Sequence, residues 1–256
     1  MQNAALIGLS RQVALERELQ VVANNVANMS TTGFKADNSI FEDYLMPTAR
    51  ANNFQPGDRR LNFVQDRGTW HDFGQGPVEQ TGNPLDVAID GDAFLVVQTP
   101  NGERYTRNGA LKLNSAGELV TSEGYQVLGE NGPIVFQQLD REVVISPDGR
   151  ITVQEGPSAL TDTQRGKLRL ATFPQAQQLQ KDGSSMFAAP AGVVPDAAPT
   201  TVRVIQGVVE KSNVKPVVEM TRLIEITRTY TQIAGMLQQN SDLRRNAIQQ
   251  LADVPS

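Results

Sequence analysis

The chain has 256 residues, 39% of them hydrophobic and 5% aromatic, with 23 Lys plus Arg against 28 Asp plus Glu and no cysteine. That is enough apolar material for at least one sizeable core, in one or two domains. The mild acidity without a basic block argues against a nucleic-acid partner, the missing thiols exclude disulfides and thiolate sites, and no run approaches the roughly 18 apolar residues of a membrane span.

The ends differ from the middle. Residues 1–35 carry three cations and two anions and residues 216–256 four of each, so almost all the negative charge lies between them. The opening "MQNAALIGLSRQ" has neither a basic n-region nor a clean apolar h-region, so no cleaved secretory peptide is expected.

From Ala4 to Asn28, Leu6, Leu9 and Val13 step by three and four, and Leu15, Leu19, Val22 and Val26 by four, three and four. This spacing predicts a helix about 37 Å long at the standard rise, with Asn3 placed to cap it and Gly33 following its end. The two stripes are out of phase, so the apolar face is wide. Asn24, Asn25 and Asn28 have low helix propensity and interrupt that face. Either they fray and cap the helix end, or some contact requires them.

Residues 36–77 show no clear period and read as an irregular connecting segment with a few strand fragments. Over 78–207 the texture changes to short β-type runs such as "LDVAI", "AFLVVQT", "REVVI" and "KLRLATF". Asp-Gly and Asn-Gly turn pairs at 90, 101, 108, 131 and 148 separate them, which predicts a mainly antiparallel sheet.

Residues 208–256 hold a second long helix that opens near Pro216, with Glu219 well placed for the helix dipole. One seam runs Met220, Leu223, Thr227, Tyr230, Ala234, Leu237, Ser241, Arg244, Ile248 and Leu251. A second, through Ile226, Ile233, Met236, Leu243 and Ala247, lies on another face. Such spacing predicts a coiled coil with more than one partner; a long amphipathic helix lying on the β domain is the alternative. The fold expected is α+β: terminal helices pairing as a coiled coil and a central β domain.

Signals of chemistry are weak. His71 in "TWHDFG" is the only histidine and has no nucleophile motif beside it. Asp86, Asp90 and Asp92 in "LDVAIDGDAF" fail the calcium-loop pattern at Ala88 and Val97. Asp90-Gly91 reads as a hairpin turn. No phosphate-binding glycine motif occurs.

Three ordered stretches carry a resemblance. "ANNVANMSTTGFKA" (23–36), "TGNPLDVAIDGDAFLVVQTPNGERYTRNGALKLNSAGELVTSEGYQVLG" (81–129) and "GVVEKSNVKPVVEMTRLIEITRTYTQIAGML" (207–237) resemble the N-terminal signature, the core β domain and the C-terminal signature of the bacterial flagellar rod and hook family. Within it, "GLSRQVALERELQVVANN" and "FEDYL" are most similar to proximal rod subunits, with distal rod subunits next.

The resemblance implies a non-enzymatic structural subunit without cofactors, exported through the flagellar export apparatus to the rod spanning the periplasm. There it polymerises helically with copies of itself and other rod proteins to transmit torque. A secreted glycan hydrolase using Asp90 or Asp92 and a general coiled-coil adaptor are the competing readings. The expected interface comprises Leu15, Leu19, Val22, Asn24, Asn25, Val26, Asn28 and Phe34 on the N-terminal side, and Met220, Leu223, Ile226, Tyr230, Ile233, Met236, Leu237, Leu243 and Ile248 on the C-terminal side. The asparagines are expected to set inter-subunit register, and Phe34 to anchor the turn after the helix.

Overall fold

A computed structural model describes residues 2–45, 62–155, 162–183 and 185–252. In chain order these form helix α1 (Gln2–Ala27), strands β1 (Asp37–Leu45), β2 (Asn62–His71), β3 (Val78–Gln80), β4 (Val87–Asp90), β5 (Phe94–Thr99), β6 (Gly102–Thr106), β7 (Leu111–Leu113), β8 (Leu119–Thr121), β9 (Gln126–Gly129), β10 (Gly132–Pro133), β11 (Asp140–Ile145), β12 (Arg150–Glu155), β13 (Asp162–Lys167), β14 (Leu170–Thr172), β15 (Gln180–Lys181), β16 (Met186–Ala188), β17 (Asp196–Ala197), β18 (Arg203–Gln206) and β19 (Val208–Glu210), and helix α2 (Pro216–Ala252). Asn3 lies inside α1 rather than capping it. Residues 36–77, expected to be irregular, contribute the paired strands β1 and β2; neither shows the strict alternation that marks a half-buried strand.

The chain divides into two compact units. Met1–Val26, Asp37–Trp70 and Lys215–Ser256 make the helical unit; Ala27–Ala36 and His71–Val214 make the β unit. The segment after α1 therefore belongs to the β unit, although its flanks do not.

Within the β unit the largest sheet runs β15-β16-β6-β5-β9-β8-β7, with β10 on β9, β14 on β5 and β17 on β14. Its central strand explains "AFLVVQT". Ala93, Leu95 and Val97 enter one apolar cluster, while Phe94 and Val96 enter a second, so a strand covered on both faces reads as a continuous apolar run. A three-stranded antiparallel sheet, β11-β12-β13, and the ribbons β4-β18 and β3-β19 complete the unit. The Gln206 side chain bridges two of these: it donates to Val143 O at 2.7 Å and accepts from Ile145 N at 3.1 Å, as a neighbouring strand would.

Three of the turn pairs close hairpins, at 101, 131 and 148. The other two do not. β4 pairs with β18 and β5 with β6, β9 and β14, so Asp90-Gly91 is a corner between sheets, not a hairpin. At Gly109 a β-carbon would strike the Val87 carbonyl, so glycine there serves a close approach of backbones.

Candidate assembly interface

Helices α1 and α2 lie antiparallel in the helical unit, as the pairs between them require. Asn25 donates to Glu219 at 3.3 Å, Arg222 meets Glu18 at 2.7 and 2.9 Å, and Gln12 donates to the Tyr230 hydroxyl at 3.0 Å. Nearer the start of α1, Gly8 leaves room for Leu237, whose Cδ2 lies 2.9 Å from where a β-carbon would stand. α1 spans about 39 Å and α2 about 55 Å at the standard helical rise.

On α2 the line Glu219, Leu223, Ile226, Tyr230, Ile233, Leu237 and Asn240 steps by four and three and is buried or half-buried throughout. This heptad seam corrects both seams read from sequence. It takes Leu223, Tyr230 and Leu237 from one and Ile226 and Ile233 from the other, while Thr227 and Ser241 are exposed. Adjacent phases share the same spacing, and two seam positions, Glu219 and Asn240, are polar, so apolar periodicity alone does not select the phase.

Among the described residues, several large apolar side chains of the two helices are exposed. On α2 these are Val217, Val218, Met220, Ile224, Met236, Leu243 and Ile248; on α1 they are Leu9 and Val13. Facing inward on α1, Val22 is buried and Leu15, Leu19 and Val26 are half-buried. Ile226→Ala is expected to loosen the helix pair by about 2–5 kcal/mol, seen as earlier loss of the helical circular-dichroism signal on heating, while Met236→Ala stays within about 0.5 kcal/mol.

The three asparagines occupy different environments. Asn25 is buried; its Nδ2 donates to Asp37 O at 2.8 Å and its Oδ1 accepts from Asp37 N at 2.9 Å, so the amide pairs with the first residue of β1. Asn24 is exposed. Asn28 is half-buried beyond the helix, where it accepts from the Thr31 hydroxyl at 3.2 Å.

Residues 27–36 form a strap on the β unit. Thr32 donates to Asn108 Oδ1 at 2.7 Å, Gly33 N donates to Glu210 O at 2.8 Å, and Ala36 N donates to Asn213 Oδ1 at 2.8 Å. Asn213 in turn donates to Asp72 O at 2.8 Å. Phe34 is fully buried with Met29, Ala36 and Val214, under the Lys181 ammonium 3.8 Å from its ring centre. Phe34 is thus an anchor within its own chain. The stretches "TTGFKA" and "EKSNV" are two halves of one fastening.

Beneath the strap Lys35, Glu210 and Arg107 are buried together; Lys35 Nζ lies 2.5 Å from Glu210 Oε1, and Arg107 Nη1 lies 3.4 Å from Oε2. Burial pushes the Lys35 amine below its ordinary value and Glu210 opposes the shift; burial likewise lowers Arg107 against the pull of Glu210 and Asp92. Lys35, Arg107, Asn108, Glu210 and Asn213 are not among the residues expected from the sequence. The available signal was a charged residue where an apolar pattern demands burial, Lys35 after Gly33-Phe34 and Glu210 at the end of "VVE".

The candidates for chemistry have structural surroundings. His71 is buried edge-on against Phe73 and Phe187, with ring centres 5.9 and 5.6 Å away. Asp86 accepts from Thr81 Oγ1 at 2.7 Å and Asn83 Nδ2 at 2.9 Å within its own turn, and Asp90 and Asp92 are exposed around Gly91. Among the described residues no group of three or more His, Asp or Glu side chains is placed to hold a metal ion, and no helix is long and apolar enough to cross a membrane.

Three family models match in chain order: "Flagella basal body rod protein" over residues 6–35, "Flagellar hook protein FlgE/F/G D1 domain" over 88–153 and "Flagellar basal body rod FlgEFG protein C-terminal" over 205–250. The chain is 37% identical to the flagellar basal-body rod protein FlgF of Caulobacter vibrioides, covering 99% of this chain and 100% of that one. The chain belongs to the flagellar basal-body rod protein family. It is also 34% identical to FlgF of Mesorhizobium japonicum, over 98% of each chain, and 32% identical to FlgG of Borreliella burgdorferi, over 90% of this chain and 91% of that one. In this rod-family chain the first model ends at Lys35, inside the strap, and the third begins in β18 and runs through Glu210 and most of α2.

Proposed function

We propose that this chain is a non-enzymatic structural subunit of the bacterial flagellar basal-body rod, joining copies of itself and other rod proteins in a helical polymer that carries torque from motor to hook. The supporting observation is the set of exposed apolar side chains on α2, in a chain of the rod family. Heterologous contacts that do not close into a ring extend as a helical filament, and only sister subunits repeat often enough to cover these side chains on every copy. Delivery by the flagellar export apparatus and a place in the periplasmic part of the rod go with this reading.

The proximal part of the rod is the proposed position. It is supported by the resemblance of "GLSRQVALERELQVVANN" to proximal rod subunits, alongside relatives named FlgF that align over 98–99% of the chain. The distal position is the alternative, given the FlgG relative.

The test replaces Ile224 and Leu243, both exposed, by Glu in one chain. The expected outcome is a purified protein with unchanged circular dichroism and thermal unfolding, together with loss of swimming and absence of the subunit from isolated basal bodies. Normal swimming, with the variant built into the rod, would reject this interface.

A further inference from the structure

The buried cluster under the strap sets two cations against one carboxylate in direct contact. Side-chain exposure is 0% for Lys35, 0% for Glu210 and 2% for Arg107, so both cations meet Glu210 away from water, while Asp72 attracts Lys35 and Asp92 attracts Arg107 without an ion-pair contact. Arg107 has support of its own: it donates to Gly91 O at 2.6 Å and Ile89 O at 3.3 Å and lies 5.2 Å from the Phe94 ring centre, although its Nε has no partner. Lys35 donates to one carbonyl, Gly74 O at 2.8 Å, and its one direct anionic contact is Glu210. Glu210 also accepts from Gly76 N at 2.8 Å, so its carboxylate joins three parts of the chain.

A buried ion pair is poor evidence of stabilisation, because desolvation offsets the attraction, whereas one buried charge without its partner is strongly unfavourable. Here the partners lie 175 residues apart in the chain. Glu210 is the last residue of β19 and reaches the cluster when that strand pairs with β3. The other strap contacts, through Thr32, Gly33, Phe34 and Ala36, involve neutral groups of the strap and do not themselves require a carboxylate.

We propose that Lys35 is a gatekeeper of the strap: residues 27–36 close on the β unit only once Glu210 is seated, because without that carboxylate closure would bury an unpaired ammonium. Lys35 thus ties the N-terminal border of the β unit to the completion of its C-terminal border and contributes selectivity, not net stability. A neutral residue of similar length would fill the same space without imposing the condition.

The test uses three full-length variants and hydrogen exchange at the amides of Gly33 and Ala36, both hydrogen-bonded in the closed strap. Lys35→Met leaves Glu210 paired one to one with Arg107, and strap protection is expected to hold or rise. Glu210→Gln leaves two buried cations without an anion in contact, with only the through-space attraction of Asp72 and Asp92. Strap protection is then expected to fall about 100-fold or more, with β5 and β6 still protected. Adding Lys35→Met to Glu210→Gln is expected to restore about tenfold or more. Should Glu210→Gln alone fail to fold, the double variant is expected to fold. The proposal is overturned if Lys35→Met opens the strap as far as Glu210→Gln does, or if the double variant is no better closed, or no better folded, than Glu210→Gln.

Discussion

Gly33→Ala is expected to destabilise the β unit by about 2–6 kcal/mol, adding about 1–3 kcal/mol for a left-handed backbone to a similar amount for overpacking. Gly33 has φ +67°, and a β-carbon there would run into the backbone of Arg107 and Asn108. Backbone at the β6–β7 corner has no rotamer through which to yield. The strap would have to lift, stretching the Gly33 N to Glu210 O bond and drawing Phe34 out of its pocket. Gly82→Ala separates the two effects, since Gly82 has φ +72° with nothing within 4 Å of the added carbon. Its expected loss is about 1–3 kcal/mol. Denaturant midpoints measure both; equal losses would mean that the close approach contributes nothing.

The element types were legible where one physical demand acted alone. The 3–4 spacing of Leu15, Leu19, Val22 and Val26 reports a helix face, and "AFLVVQT" reports a strand buried on both sides. Asn101-Gly102 and Asp148-Gly149 report hairpins, because a tight antiparallel reversal favours such pairs. Asp90-Gly91 carries the same signature yet turns between two sheets, a distinction that depends on which strands pair across the molecule. The phase of α2 was hidden for a similar reason: Glu219 and Asn240 occupy the seam through particular surroundings, and hydropathy sees them as surface. The Lys35–Glu210 pair joins residues far apart in sequence, and no local pattern announces such a pairing. The family signatures marked both halves of the fastening without indicating that they touch.

Asn25→Ala is expected to destabilise the helical unit by about 2–4 kcal/mol, because it leaves the Asp37 N–H and C=O, at a residue only 8% exposed, without their present partner and removes a hydrogen bond from Glu219. Asn25→Asp should be no better. A carboxylate would accept from Asp37 N but would face Asp37 O and the Glu219 carboxylate, where the amide now donates. Asn24→Ala, one residue earlier and exposed, should change stability by no more than about 0.5 kcal/mol, since alanine is also the better helix former. Urea unfolding followed by circular dichroism, with hydrogen exchange at the Asp37 amide, reads all three. The contrast assigns Asn25 to fastening α1 to β1 inside one chain, and the expected inter-subunit register is then tested at Asn24. An Asn24→Ala chain that folds normally but no longer enters basal bodies would place inter-subunit register at Asn24; one that assembles normally would remove Asn24 from the interface.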